Sequence, residues 1–339
     1  MKAAIYQGAQ RFEVKDIPRP QPGSGQLLVK INRSAICGTD VHAFMYDIAP
    51  AGSVIGHEIA GEVAEVGLDV EGWSVGDRLV AGGGDHPEGQ QSPMRTDPRY
   101  NYRTMGFPGG ATGGYAEYQL LPAWRPTRIP DNVPDAAAAL TEPASVAVHA
   151  LRRSAVKLGD TVVVLGAGPI GMLVTQAARA AGASRVIVSE PAPARAEAAL
   201  RLGAFEVINP LEEDVVARVV ELTDGHGAEV IFDCAGLNDT LDQAFDATRR
   251  DGQVVLVAVP WEPLAVDPVN WMGREVDFRV SFASLPEDWR IALDLLSSGR
   301  ISAEALMSEA STIDLEDIQA TFEGLMKPSS QLQVVIALE

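Results

Sequence analysis

The first third of the chain carries short apolar runs that alternate with polar residues and are broken by glycine and proline. This period-two pattern is typical of strands. It predicts strands at residues 3–6, 12–16, 26–34, 59–66, 78–81 and 115–120. Because no helical pattern separates these runs, we expect antiparallel β structure, as in a small barrel. In segments 33–42 and 54–62, which hold residues that could do chemistry, we expect a strand to end or begin beside irregular backbone.

The pattern changes after residue 135, where apolar positions recur at helical spacing. Residues 135–158 are predicted to form a helix that leads into a second domain. Beyond it, strands are predicted at 161–165, 185–189, 206–208, 229–233, 253–259 and 276–283, with helices at 170–181, 193–202, 212–222 and 239–248. This alternation predicts a doubly wound parallel sheet. A helix at 287–298 follows, and a last strand at 333–338 is expected to return to the first domain.

The turn after the strand at 161–165 reads G-A-G-P-I-G. Gly166 permits a tight turn, Gly168 lets a pyrophosphate approach the backbone, and Gly171 lets the next helix lie close to the strand. Pro169 and Ile170 lead into that helix, where free backbone N–H groups can receive phosphate oxygens. The motif therefore predicts a dinucleotide-binding turn. The alternative, a loop that only reverses the chain, leaves the acidic end of the next strand unexplained.

That next strand ends at Glu190, whose carboxylate can accept hydrogen bonds from both ribose hydroxyls of NAD and would repel the 2′-phosphate of NADP. The sequence therefore predicts NAD as the cofactor. Arg185 and Arg195 are near in sequence and are the cations with which a 2′-phosphate would pair. Arg195 is counted among the predicted cofactor-binding residues.

Composition narrows the class of protein. The 339 residues are 46% hydrophobic and 22% charged, which is typical of globular domains, and the length suits about two of them. A formal net charge of −19 disfavours nucleic acids and anionic membranes as partners. No apolar run reaches the ~20 residues of a membrane span, and the N-terminus lacks an export signal. The two cysteines, Cys37 and Cys234, fit a reducing cytoplasm, with Cys234 expected as a packing residue.

Residues with metal-ligand or acid–base chemistry concentrate in the first domain: Cys37, Thr39, Asp40, His42, His57 and Glu58, with Glu142 on the crossing helix. Thiolate, imidazole and carboxylate are the mixed ligand set of a catalytic Zn²⁺, whose fourth position is left for water or substrate. No C-x-x-C spacing supports a metal site. On residue type alone, Cys37 reads rather as a small buried apolar residue, and His57 as a hydrogen-bonded core histidine.

The order of these residues along the chain is similar to that of a known family. The matching pieces are C-G-T-D-V-H at 37–42, G-H-E at 56–58, G-E-V-A-E-V-G at 61–67, V-G-D-R at 75–78, G-G-Y-A-E-Y at 113–118, T-E-P at 141–143 and G-A-G-P-I-G at 166–171. Over essentially its whole length the chain resembles the zinc-dependent medium-chain dehydrogenases, most closely the polyol branch of sorbitol, threonine and 2,3-butanediol dehydrogenases. The resemblance implies an α/β protein with a GroES-like β-barrel catalytic domain at 1–146 and 284–339 and a Rossmann cofactor domain at 147–283.

The resemblance implies one catalytic zinc per chain, ligated by Cys37, His57 and Glu142. Glu58 would be a neighbour that exchanges with water on the metal, and Asp40 would orient His57.

The implied reaction is a reversible hydride transfer between a secondary alcohol, such as a small polyol or vicinal diol, and NAD. Zinc lowers the pKa of the substrate hydroxyl, and loss of that proton frees the hydride. Thr39 would take the proton and pass it to His42. Apart from the resemblance, Thr39 reads as a turn hydroxyl and His42 as a surface histidine. His149 is expected to be a packing residue.

Two departures from the family pattern matter. The lobe at 81–114 has no cysteine, so a second, structural zinc is not expected there; His86 is its one histidine, and Asp85, Glu88 and Asp97 are weak donors. The segment between His42 and His57, which should line the substrate pocket, is short, so the substrate of any one relative does not transfer directly to this chain. The sequence W-E-P-L-A-V-D-P at 261–268 resembles the butanediol branch. The rival functions are a zinc-free quinone or enoyl reductase and a non-catalytic nucleotide-binding protein.

The strand at 276–283 would be the outermost strand of the parallel sheet. An open edge invites pairing with its own copy about a two-fold axis, and the resemblance supports a homodimer or homotetramer. The alternative is an edge covered by residues 261–272.

Overall fold

The computed structural model describes residues 1–87, 96, 113–307, 311–327 and 331–338. The chain divides into two compact units, Met1–Glu142 with Met307–Ser329 and Gln333–Glu339, and Pro143–Leu306 with Ser330–Leu332. Residues 284–306, which the resemblance assigns to the first domain, fall in the second unit. Two hydrogen bonds hold this segment within the second unit: one joins Asp288 to His149, and the other runs from Ser302 N to the Gln176 side chain.

The described strands are β1 (Lys2–Tyr6), β2 (Phe12–Asp16), β3 (Gln26–Ala35), β4 (Glu58–Val66), β5 (Arg78–Val80), β6 (Tyr118–Pro122), β7 (Thr127–Arg128), β8 (Thr161–Leu165), β9 (Arg185–Ser189), β10 (Glu206–Ile208), β11 (Ala228–Asp233), β12 (Thr248–Leu256), β13 (Asp277–Val280), β14 (Thr312–Asp314) and β15 (Val335–Ala337). The described α-helices are α1 (Gly38–Met45), α2 (Asp135–Ala138), α3 (Thr141–Arg153), α4 (Pro169–Ala180), α5 (Pro193–Arg201), α6 (Val215–Leu222), α7 (Asn238–Ala247), α8 (Val269–Met272), α9 (Pro286–Ser297) and α10 (Ile318–Leu325).

The first unit is a β structure around an aromatic core. Its larger sheet has the order β14-β15-β3-β4-β5-β7, with β6 also paired to β3, and β1 pairs with β2. All of these pairs are antiparallel except β14 with β15. Strand β15 pairs with β3, which confirms the predicted return of the last strand. Phe12, Phe44, Tyr115 and Phe322 meet in the core at ring-centroid distances of 4.9 to 6.5 Å.

The second unit confirms the predicted doubly wound sheet. Its six strands lie in the order β10-β9-β8-β11-β12-β13, and every neighbouring pair is parallel. Strand β8 is fully buried, as its apolar composition on both faces requires. Strand β13 is the outermost, as predicted, but it is shorter than residues 276–283.

Three local predictions are wrong. Residues 38–45 form helix α1 where irregular backbone was expected. The crossing helix expected at 135–158 is divided into α2 and α3, and it ends at Arg153. There Ser154 Oγ donates to Leu151 O and accepts from Val156 N, so a side chain replaces the helical pattern of backbone bonds. Strand β12 begins at Thr248, earlier than the predicted residue 253, because Thr248 pairs with Ala228 of β11.

Candidate active site

Cys37 is placed by the start of helix α1. Its Sγ accepts a hydrogen bond from Thr39 N at 3.4 Å, and Asp40 Oδ2 accepts one from Cys37 N at 3.4 Å, which together form a capping box. Cysteine is not among the residues that usually cap helices, which is why the residue pattern did not predict this one. The partial positive charge at a helix N-terminus favours the thiolate that binds metals.

His57 and Glu58 are placed by the start of strand β4. Glu58 pairs with Ala35 across the β3–β4 ladder, two residues before Cys37, so the register brings the two segments together. Gly56 has φ +95°, and a Cβ there would lie 2.6 Å from ring carbons of Tyr115. Only glycine meets both conditions, so Gly56 fixes how the chain enters His57.

The ligand atoms of Cys37, His57 and Glu58 all lie within 4.8 Å of one another. No second group of this kind occurs in the part of the chain that the structure describes. Glu58 is 2% exposed, and its Oε2 has no hydrogen-bond partner among the residues that the structure describes. A buried carboxylate oxygen without a partner is costly, and a divalent cation would satisfy it. This donor set therefore fits zinc.

Glu142, predicted as the third ligand, lies outside this group of three. It stands in the first turn of α3 and is close enough for its charge to raise the pKa of Glu58. Of the two glutamates, the structure thus brings Glu58 nearest to Cys37 and His57. The ligand role of Glu142 stays a prediction.

Several acidic groups surround the one imidazole of this cluster, and burial and their mutual repulsion shift their pKa values. Burial, and then the charge of Glu58, raises the pKa of the Cys37 thiol to about 12. Burial, and then Glu142, raises the pKa of Glu58 to about 8. Desolvation lowers the pKa of His57, but Asp40 and Cys37 outweigh it and hold that pKa well above its usual value. A cation bound here would offset this crowding of negative charge.

Asp40 links His57 to a residue that the sequence analysis missed. Asp40 is fully buried, with Oδ1 3.4 Å from His57 Nδ1, and its Oδ2 accepts a hydrogen bond of 2.6 Å from the Tyr115 hydroxyl. The motif G-G-Y-A-E-Y at 113–118 is part of the resemblance, but the sequence analysis assigned no role to its first tyrosine, Tyr115. The signal was a tyrosine in a run of small residues, because a buried tyrosine hydroxyl needs a polar partner.

Thr39 and His42, the predicted proton path, share helix α1 with Cys37. Both side chains are half-buried. His42 Nδ1 lies 2.6 Å from Gly38 O, its ring stacks on Tyr46, and burial lowers its pKa. A lowered pKa leaves the imidazole neutral and able to accept a proton, as the predicted path requires.

The dinucleotide-binding turn has the geometry that its three glycines predict. Gly166 has φ +92°, and its N–H donates to Ser189 O. A Cβ on Gly171 would lie 1.9 Å from Gly166 O, so helix α4 can approach β8 only without a side chain. A Cβ on Gly168 would meet no protein atom within 4 Å, which leaves that position open to a ligand. Gly168 caps helix α4, and Pro169 and Ile170 follow in its first turn.

Glu190 is 4% exposed and stands beside this turn. Its Oε2 accepts from Ala167 N and its Oε1 from Ala192 N, both at 2.8 Å. Each oxygen keeps a second lone pair for a ribose hydroxyl. Arg195 donates to Gln331 O through Nε at 3.3 Å and Nη2 at 3.1 Å. Arg185 stands at the opposite end of β9 and donates to Leu222 O, so it is not placed to pair with a 2′-phosphate beside Glu190.

Three other residues that the sequence analysis considered lie in surroundings that suit a structural role. His149 is buried, with Nδ1 2.8 Å from Asp288 Oδ2, so it has a hydrogen-bond partner and is not only a packing residue. Cys234 is half-buried, and burial raises its pKa well above the usual value, which suits packing. The His86 ring lies 4.7 Å from that of Trp124, while Glu88 and Asp97 lie outside the described residues.

A search of the described residues found no helix of sufficient length and apolarity to cross a membrane.

Comparison with known proteins identifies the two halves of the chain separately. Residues 23–131 match the family described as "Alcohol dehydrogenase GroES-like domain", and residues 169–298 match "Zinc-binding dehydrogenase". The (R,R)-butanediol dehydrogenase of Bacillus subtilis (strain 168) is 32% identical, with 99% of each chain covered. The crystal structure of 2R,3R-butanediol dehydrogenase from Bacillus subtilis has a TM-score of 0.89 at 31% identity, again with 99% of each chain covered.

One further relative is named for another substrate, and one further solved structure has NADP bound. An L-threonine 3-dehydrogenase of Pyrococcus abyssi (strain GE5 / Orsay) is 34% identical over 91% of this chain and 89% of its own length. A zinc-binding dehydrogenase from Sinorhizobium meliloti 1021, solved bound to NADP, has a TM-score of 0.88 at 29% identity and covers 99% of this chain and 98% of its own. These matches support the implied fold of a GroES-like domain with a parallel-sheet cofactor domain.

Proposed function

The chain belongs to the zinc-dependent medium-chain dehydrogenase family, and we propose that it interconverts a small polyol or vicinal diol with the matching ketone, using NAD. It is a zinc-type alcohol or polyol dehydrogenase, with zinc and a nicotinamide cofactor. The observation that carries the proposal is the approach of Cys37, His57 and Glu58 to within 4.8 Å, with a buried glutamate oxygen left for a cation.

In this proposal Cys37, His57 and Glu142 hold the zinc, and Glu58 is the neighbouring carboxylate that can take a ligand position. Bound zinc supplies the acidification of the substrate hydroxyl. Thr39 accepts the hydroxyl proton and passes it to His42, which exchanges it with bulk water. A bound nicotinamide would supply the hydride acceptor for the carbon that bears the hydroxyl, so the substrate would lose one proton from oxygen and one hydride from carbon and become a ketone.

A diol substrate is supported by the butanediol dehydrogenase relative and by the segment at 261–268. The test is a screen of 2,3-butanediol stereoisomers, sorbitol and L-threonine with NAD⁺, followed by NADH absorbance. We expect the highest kcat/KM with a neutral vicinal diol. Higher kcat/KM with L-threonine would reject the diol, and no turnover of any of these substrates would favour a nucleotide-binding protein without catalysis.

NAD is proposed over NADP because Glu190 places a carboxylate beside the turn and Arg185 faces away from it. Hydrogen bonds to a charged acceptor are worth about 1.5–3 kcal/mol, or roughly ten- to a hundredfold in preference. We expect kcat/KM with NAD to exceed that with NADP by this factor. Equal or better kcat/KM with NADP would show this assignment to be wrong.

We also propose that the enzyme acts in the cytoplasm as a homodimer or homotetramer. The outermost strand of the second unit, β13, supports pairing of copies, and its last residue, Val280, is 52% exposed, although Val280 O accepts a hydrogen bond from Arg153 Nε. Sedimentation at micromolar concentration should show the oligomer, and a single monomeric species would contradict it.

A further inference from the structure

The segment that leads into Tyr115 runs beside the segment that leads into His57. Gly114 N donates to Gly56 O at 2.8 Å, and Tyr115 N donates to Ile55 O at 3.0 Å. Tyr115 O in turn accepts from Ala4 N at 2.8 Å, so the backbone of this tyrosine is held on both sides. The position of Tyr115 is therefore fixed relative to His57 before its side chain is considered.

The Tyr115 ring is fully buried and lies against the bare backbone of Gly56. A side chain at Gly56 would enter the space that the ring occupies, since its Cβ would lie 2.6 Å from two ring carbons. The ring is thus pressed against the residue that precedes His57. A phenylalanine would fill this space equally well, so packing alone does not account for the hydroxyl.

Within the described part of the chain, the hydroxyl donates to the Asp40 carboxylate, at 2.6 Å from Oδ2. That oxygen also receives Cys37 N at 3.4 Å, while the other oxygen, Oδ1, lies 3.4 Å from His57 Nδ1. Rotation of Asp40 about its side-chain bonds would exchange these contacts. A donor fixed on Oδ2 leaves Oδ1 turned towards His57 Nδ1, which would leave the other nitrogen, Nε2, for a bound metal.

We propose that Tyr115 is a positioning residue of the metal site: its hydroxyl holds Asp40, and through Asp40 it sets the orientation of the His57 ring. This inference rests on the proposed zinc site. Groups that orient a ligating histidine typically contribute ten- to a hundredfold to metal affinity. Tyr115 acts one residue further out, so its hydroxyl contributes at the lower end, about tenfold.

The test compares zinc dissociation constants, measured by competition with a chelator, for the wild-type protein and Tyr115→Phe. The matched control is Tyr6→Phe. Tyr6 is a fully buried tyrosine of the same core, and its hydroxyl also donates to a carboxylate, that of Asp47. We expect Tyr115→Phe to weaken zinc binding about tenfold and Tyr6→Phe to leave it within twofold.

A double substitution tests whether the effect passes through Asp40. In the Asp40→Asn background, Tyr115→Phe should weaken zinc binding by less than twofold, because the orientation is already lost. The absorption spectrum of the Co²⁺-substituted protein gives a second readout, and Tyr115→Phe should shift its ligand-field bands while Tyr6→Phe does not. Cys37→Ser separates the two proposals, since it removes zinc if the site is correct, whatever the role of Tyr115.

The inference is overturned if Cys37→Ser removes zinc while Tyr115→Phe binds it within twofold of wild type. It is equally overturned if Tyr6→Phe weakens zinc as much, because the loss would then reflect a loosened core. If Cys37→Ser keeps its zinc, the proposed site itself fails.

Discussion

The sequence encodes the dinucleotide-binding turn and the group of metal-ligand residues Cys37, His57 and Glu58, called the metal cluster below, in opposite ways. The turn is contiguous: residues 161–190 contain the strand, the glycines, the helix and the acidic residue, and the structure keeps them together. The metal cluster is assembled from residues that are distant in sequence. Cys37 comes from a helix cap and His57 and Glu58 from the start of a strand.

This difference determines what maintains each site. Local sterics hold the turn, because Gly166 needs a positive φ and Gly171 admits no Cβ. The metal cluster depends instead on the β3–β4 register and on the buried bonds of Asp40. Substitutions should therefore affect the turn through backbone geometry and the cluster through charge and ligand chemistry.

The largest effect is expected at the cluster. Cys37→Ser replaces a soft thiolate with a poor hydroxyl ligand, and Glu142→Ala removes the third predicted ligand. Both should reduce turnover to the background rate while NADH binding, measured by fluorescence titration, stays within about twofold of wild type. Loss of NADH binding together with turnover would show that the two sites are not independent. Cys234→Ala, which removes the other thiol, should retain its zinc.

A matched glycine pair tests the turn. Gly171→Ala should destabilise the protein by about 3 kcal/mol, because its methyl group would meet a backbone oxygen that cannot move freely. Gly168→Ala, whose methyl group meets only open space, should change stability by less than about 0.5 kcal/mol. It should instead weaken NADH binding. Urea unfolding and NADH titration separate these outcomes, and equal losses of stability would contradict this view of the turn.

A pH dependence of stability is expected for the metal-free protein. The pKa of Glu58 is raised to about 8 from an ordinary 4.5, so the folded state prefers the protonated acid. Its stabilising contribution is present below pH 4.5 and is lost as the pH rises through about 8, by at most about 1.4 kcal/mol per pH unit. Glu58→Gln should flatten this slope in chelator-treated protein. An unchanged slope in that variant would assign the pH dependence to other groups.

What the sequence predicted follows the same division. The doubly wound parallel sheet and the roles of Gly166 and Gly171 were predicted because strand composition and backbone sterics are local properties. Helix α1 was missed because its N-cap is a cysteine. The Cys37 sulfur accepts a backbone N–H of the first turn, and the Asp40 carboxylate accepts the Cys37 N–H. Tyr115 was missed because its partner is 75 residues away, and only the folded first unit brings their side chains together.

The pair Glu58 and Glu142 shows the same limit. Residue type makes either one a suitable zinc ligand, and the family pattern favoured Glu142. The register of β3 and β4 puts Glu58 beside Cys37 and His57, a proximity that no spacing in the sequence displays.

Metal analysis of the purified protein, paired with an activity assay before and after chelation, tests the central claim most directly. The chain has only two cysteines, Cys37 and Cys234, and neither lies in the lobe at 81–114. We therefore predict one zinc per chain in the wild type, none in Cys37→Ser, and activity that is lost on chelation and restored by zinc. Close to two zincs per chain, or full activity after complete removal of zinc, would contradict the account.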